Sequence, residues 1–150
     1  AGTLSARNTA ALGTTANGTT VASGATLDIY NAAIGNENIT LNGGTITGTQ
    51  SGASLSGTIT LGANSFLGGT GSLALSGVIS GGFGLTQSGS VLSTLSGNNT
   101  YTGAVTINGG TLTASHINAL GTTAGGVTVN SGATLNINNV AIGAEAITLS

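Results

Sequence analysis

Ser23-Gly24-Ala25-Thr26-Leu27-Asp28-Ile29 returns as Ser131-Gly132-Ala133-Thr134-Leu135-Asn136-Ile137. Each version reads as a glycine turn followed by a short strand whose residues alternate polar and apolar. The match extends outward in both directions. Residues 2–42 align with residues 110–150 without a gap, 108 positions apart, and 27 of the 41 pairs are identical. A long sequence period of this kind is the signature of a quasi-one-dimensional stack, in which each unit buries its apolar side only against its neighbours.

The same alternation recurs at Ile39-Thr40-Leu41, Thr45-Ile46-Thr47, Thr58-Ile59-Thr60-Leu61, Leu73-Ala74-Leu75, Val105-Thr106-Ile107, Val127-Thr128-Val129 and Ile147-Thr148-Leu149. A period of two over so few residues predicts short strands with one face buried. Turn signals separate them: Asn17-Gly18, Ser23-Gly24, Asn42-Gly43-Gly44, Gly68-Gly69, Gly81-Gly82 and Asn108-Gly109-Gly110. The one helix-like stretch, Asn8 to Leu12 with its copy Asn118 to Leu120, is too short to nucleate a helix. A β-sandwich calls for longer strands and bulkier core residues. Thin rungs of Leu, Ile and Val predict an all-β fold, a single-stranded parallel β-helix of about six or seven coils, each of about 20–25 residues. On that estimate the 108-residue unit holds four or five coils and the rod is about 30 Å long.

Composition removes several classes of function. The chain has a single Lys or Arg, three acids and one His among 150 residues, with a net charge of −2. Phosphate backbones require clustered cations, so no nucleic-acid partner is expected. Disordered chains combine low hydrophobicity with high net charge. Here 39% of residues are hydrophobic and only 3% charged, which predicts a chain that folds or aggregates. Cysteine is absent, and with it disulfides and thiolate chemistry. No apolar run approaches the roughly 20 residues of a membrane-spanning helix.

The stretch Leu95-Ser96-Gly97-Asn98-Asn99-Thr100-Tyr101-Thr102-Gly103-Ala104-Val105-Thr106-Ile107-Asn108-Gly109-Gly110-Thr111-Leu112 resembles the autotransporter-associated beta strand repeat, departing from its pattern mainly at Val105, where Thr is usual. The run Leu75 to Leu85 resembles the segment that precedes this motif in such proteins. The resemblance implies a β-helical passenger domain of a type V secreted bacterial surface protein, extracellular, with a C-terminal membrane barrel outside these residues. In the residues themselves, Val105 and Ile107 are expected to point inward and Thr106 outward. Tyr101 is expected to lie across its turn, and Asn98 and Asn99 to stack in amide ladders between coils.

No catalytic, cofactor-binding or metal-binding residue is assigned. Glycoside hydrolysis uses two carboxylates about 5–9.5 Å apart. Glu37 and Glu145 are equivalent in the repeat, which places them four or five coils and about 20 Å apart. Asp28 and Glu37 are nearer in sequence, but Asn136 replaces the aspartate in the second copy. His116 stands where the first copy has Asn8 and reads as a turn residue. Gly81-Gly82-Phe83-Gly84 lacks the following Asp of a calcium-binding β-roll, since Leu85 and Thr86 come next. Arg7 is placed to pair with Glu37 across coils, a contact worth about 0–1 kcal/mol at a surface. Asn17-Gly18-Thr19, Asn38-Ile39-Thr40 and Asn98-Asn99-Thr100 match the glycosylation pattern, as chance allows in a chain so rich in Asn and Thr. Thr45-Ile46-Thr47, Thr58-Ile59-Thr60 and Thr111-Leu112-Thr113 put paired hydroxyls outward, which on one flat face would make an ice-binding surface.

The expected function is therefore structural and non-enzymatic: a rod that holds an adhesive element away from the cell. The chain begins and stops inside matching motifs, so residues 1–150 are expected to be one length of a longer array with uncapped end coils. Its expected partners are neighbouring repeats or identical subunits stacked through those coils, and a host surface or another cell. The alternatives are a filament assembled by such stacking, an ice-binding face and a glycan-active β-helix enzyme. The register carries a direct prediction. Ile107→Lys should unfold its coil, because the ammonium enters the core, whereas Thr106→Lys should be tolerated; circular dichroism of the two variants during urea titration reads the difference.

Overall fold

The structure is a computed structural model that describes residues 1–14 and 16–150; Thr15, within the first copy, lies outside them. It contains eighteen strands and, among the described residues, no α-helix. They form three sheets, and every strand pair is parallel. The eight-stranded face comprises Thr3–Ala6, Thr26–Ile29, Thr45–Thr47, Ser65–Gly68, Leu85–Gln87, Val105–Ile107, Val127–Val129 and Ile147–Leu149. The six-stranded face comprises Ala33–Ile34, Ala53–Leu55, Ser72–Leu75, Leu92–Leu95, Thr111–Ala114 and Thr134–Ile137. The four-stranded face comprises Thr19–Ala22, Ile39–Asn42, Ile59–Ala63 and Ile79–Gly81. The chain visits the faces in that order and then returns to the first, one coil higher.

This is the expected β-solenoid, of about seven turns. Successive partners on the eight-stranded face are separated by unequal lengths of chain: the step from Thr3 to Thr26 is longer than the step from Thr26 to Thr45. At about 4.8 Å per coil the rod is about 34 Å long. Its core is a column of aliphatic side chains that includes Leu27, Ile46, Leu67 and Ile107 from one face, Leu55, Leu75 and Leu95 from the second, and Ile39, Ile59 and Ile79 from the third. Val105 and Ile107 point inward as expected, while Thr106 keeps part of its surface in solvent.

The corners explain the abundance of glycine. A Cβ built on Gly57 would run into the Glu37 carbonyl oxygen, one on Gly77 into that of Gly57, and one on Gly97 into that of Gly77. The same stacking recurs at the second corner, where Gly69 sits on Gly48, and at the third, where Gly125 sits on Gly103. All six turn signals carry a left-handed glycine, among them Gly24 at φ 75° and Gly110 at φ 67°. The helix-like stretches are tight turns. Ala11 N–H donates to the Asn8 carbonyl and Gly13 N–H to that of Ala10, and the second copy repeats both bonds from Ala119 to His116 and from Gly121 to Asn118.

The two copies keep their local structure but not their position on the rod. Thr3–Ala6 belongs to the eight-stranded face, and its copy Thr111–Ala114 to the six-stranded one. Thr26–Ile29 and Thr134–Ile137 are divided in the same way. Thr19–Ala22 and Ile39–Asn42 lie on the four-stranded face, whereas Val127–Val129 and Ile147–Leu149 lie on the eight-stranded one. The repeat unit is therefore five coils and one further face, against the four or five coils expected. Five steps along the eight-stranded face carry the chain from Thr3 to Thr106, and the rest of the unit takes it round a corner to Thr111.

Close stacking at the corners gives a paired test. Gly77→Ala forces a methyl group against the neighbouring backbone and should cost about 1–3 kcal/mol. Gly82→Ala meets nothing within 4 Å and should change stability by less than about 0.5 kcal/mol, as read by chemical unfolding.

Candidate functional site

The charged and polar side chains singled out in the sequence are distributed along the rod, and all but Glu145 are engaged by their own neighbours. Asp28 sits in the outward row of the eight-stranded face between Ser5 below and Thr47 above. Its carboxylate accepts hydrogen bonds from the hydroxyls of Ser5 (3.0 Å), Thr47 (3.1 Å) and Thr49 (2.9 Å). Glu37 is buried at the corner before the four-stranded face and accepts a 2.8 Å bond from the Thr19 hydroxyl. Glu145, its equivalent, has lost that donor, because Val127 stands where the first copy has Thr19. Its Oε2 is buried without a partner, and desolvation raises its pKa above the usual carboxylate range. Five coils and a face separate the two glutamates, about 26 Å along the axis. Among the described residues no three His, Asp or Glu side chains gather in a group able to hold a metal ion.

Arg7 does not pair with Glu37. Its guanidinium lies over the Tyr30 ring, 4.1 Å from the centroid. The coil register dictates this, since the Tyr30 N–H donates to the Ala6 carbonyl and so sets the ring one coil above Arg7. An exposed cation–π contact contributes about 0.5–1 kcal/mol. The second copy has Ser115 and Asn138 at these positions, so both partners are absent together. His116 performs the turn role of Asn8: its Nδ1 accepts from the Asn118 N–H at 3.1 Å, as Asn8 Oδ1 accepts from the Ala10 N–H at 3.0 Å.

The motif around Asn99 departs from expectation in an informative way. Asn98 forms the expected amide ladder, accepting from Asn118 Nδ2 at 2.7 Å. Asn99 instead turns inward and is 2% exposed. Its Oδ1 accepts from the Ile79 N–H (2.8 Å) and its Nδ2 donates to the Ala119 carbonyl (2.7 Å). One side chain thus links the coil below to the coil above at the level where regular pairing on the four-stranded face ends. Tyr101 does not lie across the turn; it is the largest fully buried side chain. Thr102 N–H donates to the Gly81 carbonyl and Thr122 N–H to the Tyr101 carbonyl, which sets Tyr101 between Gly81 below and Gly121 above. A Cβ on Gly121 would strike the tyrosine ring, so the missing side chain above makes room for the large one. Burial, with the Glu145 charge as a smaller cause, pushes the Tyr101 hydroxyl well above its ordinary pKa, keeping it a donor toward the Ala119 carbonyl at 3.4 Å.

The three Thr-x-Thr pairs fall on three different faces: Thr45 and Thr47 on the eight-stranded, Thr58 and Thr60 along the four-stranded, Thr111 and Thr113 on the six-stranded. They do not combine into a plane of paired hydroxyls. A different row emerges on the eight-stranded face. Thr3, Thr26, Thr45, Phe66, Thr86, Thr106, Thr128 and Thr148 stack in register, seven threonines interrupted by one aromatic. Its spacing in sequence is irregular, so the row becomes visible only when the coil boundaries are known.

Asn99→Leu should cost about 2–6 kcal/mol, since it leaves two backbone groups buried and unpaired at about 1–3 kcal/mol each. Asn98→Ala, at an exposed amide, should cost less than about 0.5 kcal/mol. Thermal unfolding of both variants checks the contrast.

In an alignment of 117 positions that covers 71% of its length, the chain is 35% identical to the Adhesin BmaC autotransporter of Brucella suis biovar 1 (strain 1330). The matched region is 3% of that protein. No family model matches the chain. No solved structure matches it. The parallel coils, the internal copy and this similarity together fit an autotransporter passenger repeat.

Proposed function

We propose that these residues form a length of rigid, non-enzymatic stem in a bacterial surface adhesin, spacing an adhesive element from the cell. The observation that carries this reading is the continuity of the axial hydrogen-bond ladder. Partners link coil to coil on all three faces, and the bonds continue past the regular strands: Thr100 N–H to the Ile79 carbonyl, Thr102 to Gly81 and Thr122 to Tyr101. Bending such a rod means stretching bonds on at least one face. A relative described as an adhesin and an autotransporter supports a place at the cell surface or in the secreted fraction. The separation of the two equivalent glutamates, and the engagement of Asp28 and Glu37 by hydroxyls of adjacent coils, support a structural role over catalysis.

A second reading, end-to-end assembly into a filament, is favoured by one observation. Apolar side chains line a cavity of about 310 Å³ beside Leu4, Val21 and Leu27 and another of about 350 Å³ beside Leu135, Ile147 and Leu149. A further coil of the same protein, or a second copy, would cover either.

Hydrogen exchange on the 150-residue chain tests the stem. Amides of the middle coils, such as Ile59, Leu85 and Val105, should exchange through global opening and be the slowest, with protection declining toward both ends. Fast exchange throughout would remove the basis for a stiff rod. Light scattering behind size exclusion separates the two readings: a monomer at millimolar concentration opposes assembly, and a concentration-dependent ladder of oligomers supports it.

A further inference from the structure

We propose that the repeat unit is a one-third-turn unit, so that consecutive copies present equivalent strands on successive faces of the rod. This rests on the stem reading and concerns how the stem displays itself. The two copies in this chain already differ by one face. The shift is uniform: strands from the eight-stranded face reappear on the six-stranded one, and strands from the four-stranded face reappear on the eight-stranded one. It follows the order in which the chain winds. A third copy would therefore take the remaining face, and three copies would restore the starting orientation after about sixteen coils, about 77 Å.

The chemistry of the strands permits this rotation. Inward residues are matched in kind between the copies: Leu4 and Leu112, Leu27 and Leu135, Ile39 and Ile147. Outward residues are likewise matched: Thr3 and Thr111, Thr20 and Thr128, Thr40 and Thr148. All three faces take an aliphatic residue toward the axis, and outward they take small or polar residues: threonine on the eight-stranded face, and Ser54, Ala74, Thr94 and Thr113 in one file of the six-stranded face. A strand that satisfies one face satisfies the next. The unit runs past an integral number of turns because five coils, from Thr3 to Thr106, fall short of its length and leave one face over.

The consequence is a radial display. Where the copies share an outward residue, as at Thr20 and Thr128 or Thr40 and Thr148, the second offers it about 26 Å further along the axis and a third of a turn around it. A one-sided comb would require units of a whole number of coils. A three-sided rod meets a partner from any direction, and a rigid partner that engages two consecutive units must follow the surface around the axis.

The absence of cysteine allows a direct test with paired nitroxide labels. The rotated register places Thr106 and Thr128 on adjacent coils of one face, about 5 Å apart. Stacking without rotation would return Thr128 to the file of its copy Thr20, over Thr100. Thr106→Cys/Thr128→Cys should show strong dipolar broadening and Thr100→Cys/Thr128→Cys far less. The reverse pattern overturns the proposal. Thr94→Cys/Thr113→Cys, neighbours on the six-stranded face, serves as an independent pair if the first variant does not fold; broadening there supports the rotation, and its absence in a folded variant overturns it. Loss of amide protection in the unsubstituted chain would sink the stem reading, whereas a protected rod with the reversed label pattern would sink the rotation alone.

Discussion

Coil-to-coil backbone hydrogen bonding is the constraint from which the rest of the structure follows. The bonds form only if the corners allow one coil to rest directly on another. Gly57, Gly77 and Gly97 sit in one corner file, each so close to the carbonyl of the coil below that a single methyl group would hold the coils apart. A corner held open would weaken the neighbouring faces as well, because all three share the same axial repeat. Glycine costs backbone entropy on folding, about 0.5–1 kcal/mol relative to alanine in regular structure. The axial ladder offsets that cost by satisfying donors and acceptors along most of each turn.

The four-stranded face shows how the ladder survives an interruption. Its last regular strand is Ile79–Gly81. In the next coil Asn99 occupies the inward file that Ile39, Ile59 and Ile79 fill below, and its amide takes over bonds that main-chain groups would otherwise make. A buried amide is stabilising there only because both its ends are engaged. Gln87 is less complete: its Nε2 reaches the Gly109 carbonyl at 3.1 Å, but Oε1 is buried without a partner, as is the Ser93 hydroxyl in the same coil. That coil has the most polar interior of the rod, flanked by coils whose corresponding positions are Leu67 and Ile107 on one face and Leu73 and Leu112 on another.

The alternation at Thr26–Ile29, Thr45–Thr47 and Val105–Ile107 was readable because β-branched and aliphatic residues mark both faces of a strand. The solenoid was readable from the internal copy. Strands such as Ala53–Leu55 and Leu92–Leu95 were not apparent, since Ala-Ser-Leu and Leu-Ser-Thr-Leu carry little local preference and acquire their conformation from the coils on either side. Which face a strand occupies was beyond reach for a related reason. It depends on the sum of all preceding coil lengths, and the inequality between steps such as Thr3 to Thr26 and Thr26 to Thr45 accumulates until a copy moves round a corner. Tyr101 and Asn99 were misjudged because an Asn-rich segment beside a glycine normally reads as an exposed turn. The clue was the pairing of Tyr101 with Gly81 one coil below and Gly121 one coil above, informative only after the coil length is fixed. The roles of Asp28, Glu37 and Arg7 likewise depended on which hydroxyl or ring the next coil happened to supply.

The scarcity of charge follows from the same axial repeat. In a solenoid an outward residue is stacked at about 4.8 Å on its counterparts above and below, so a charged position tends to become a charged file. Two like charges at that distance repel by about 0.9 kcal/mol even at the dielectric constant of water, and the penalty recurs at every step of the file. Threonine avoids it and also suits a pleated surface, which is why seven of the eight outward residues in the longest row are threonine. Asp28 shows the condition under which a charge is admitted. Its neighbours in the file are Ser5 and Thr47, both hydroxyl donors, and Thr49 supplies a third. The second copy, where Thr113 lies below, has the neutral Asn136, whose amide donates to the Thr113 hydroxyl at 3.4 Å. Asp28 is thus stabilised by hydroxyls of the coils on either side, and where such a donor is lost, as at Glu145, a carboxylate oxygen is left without a partner.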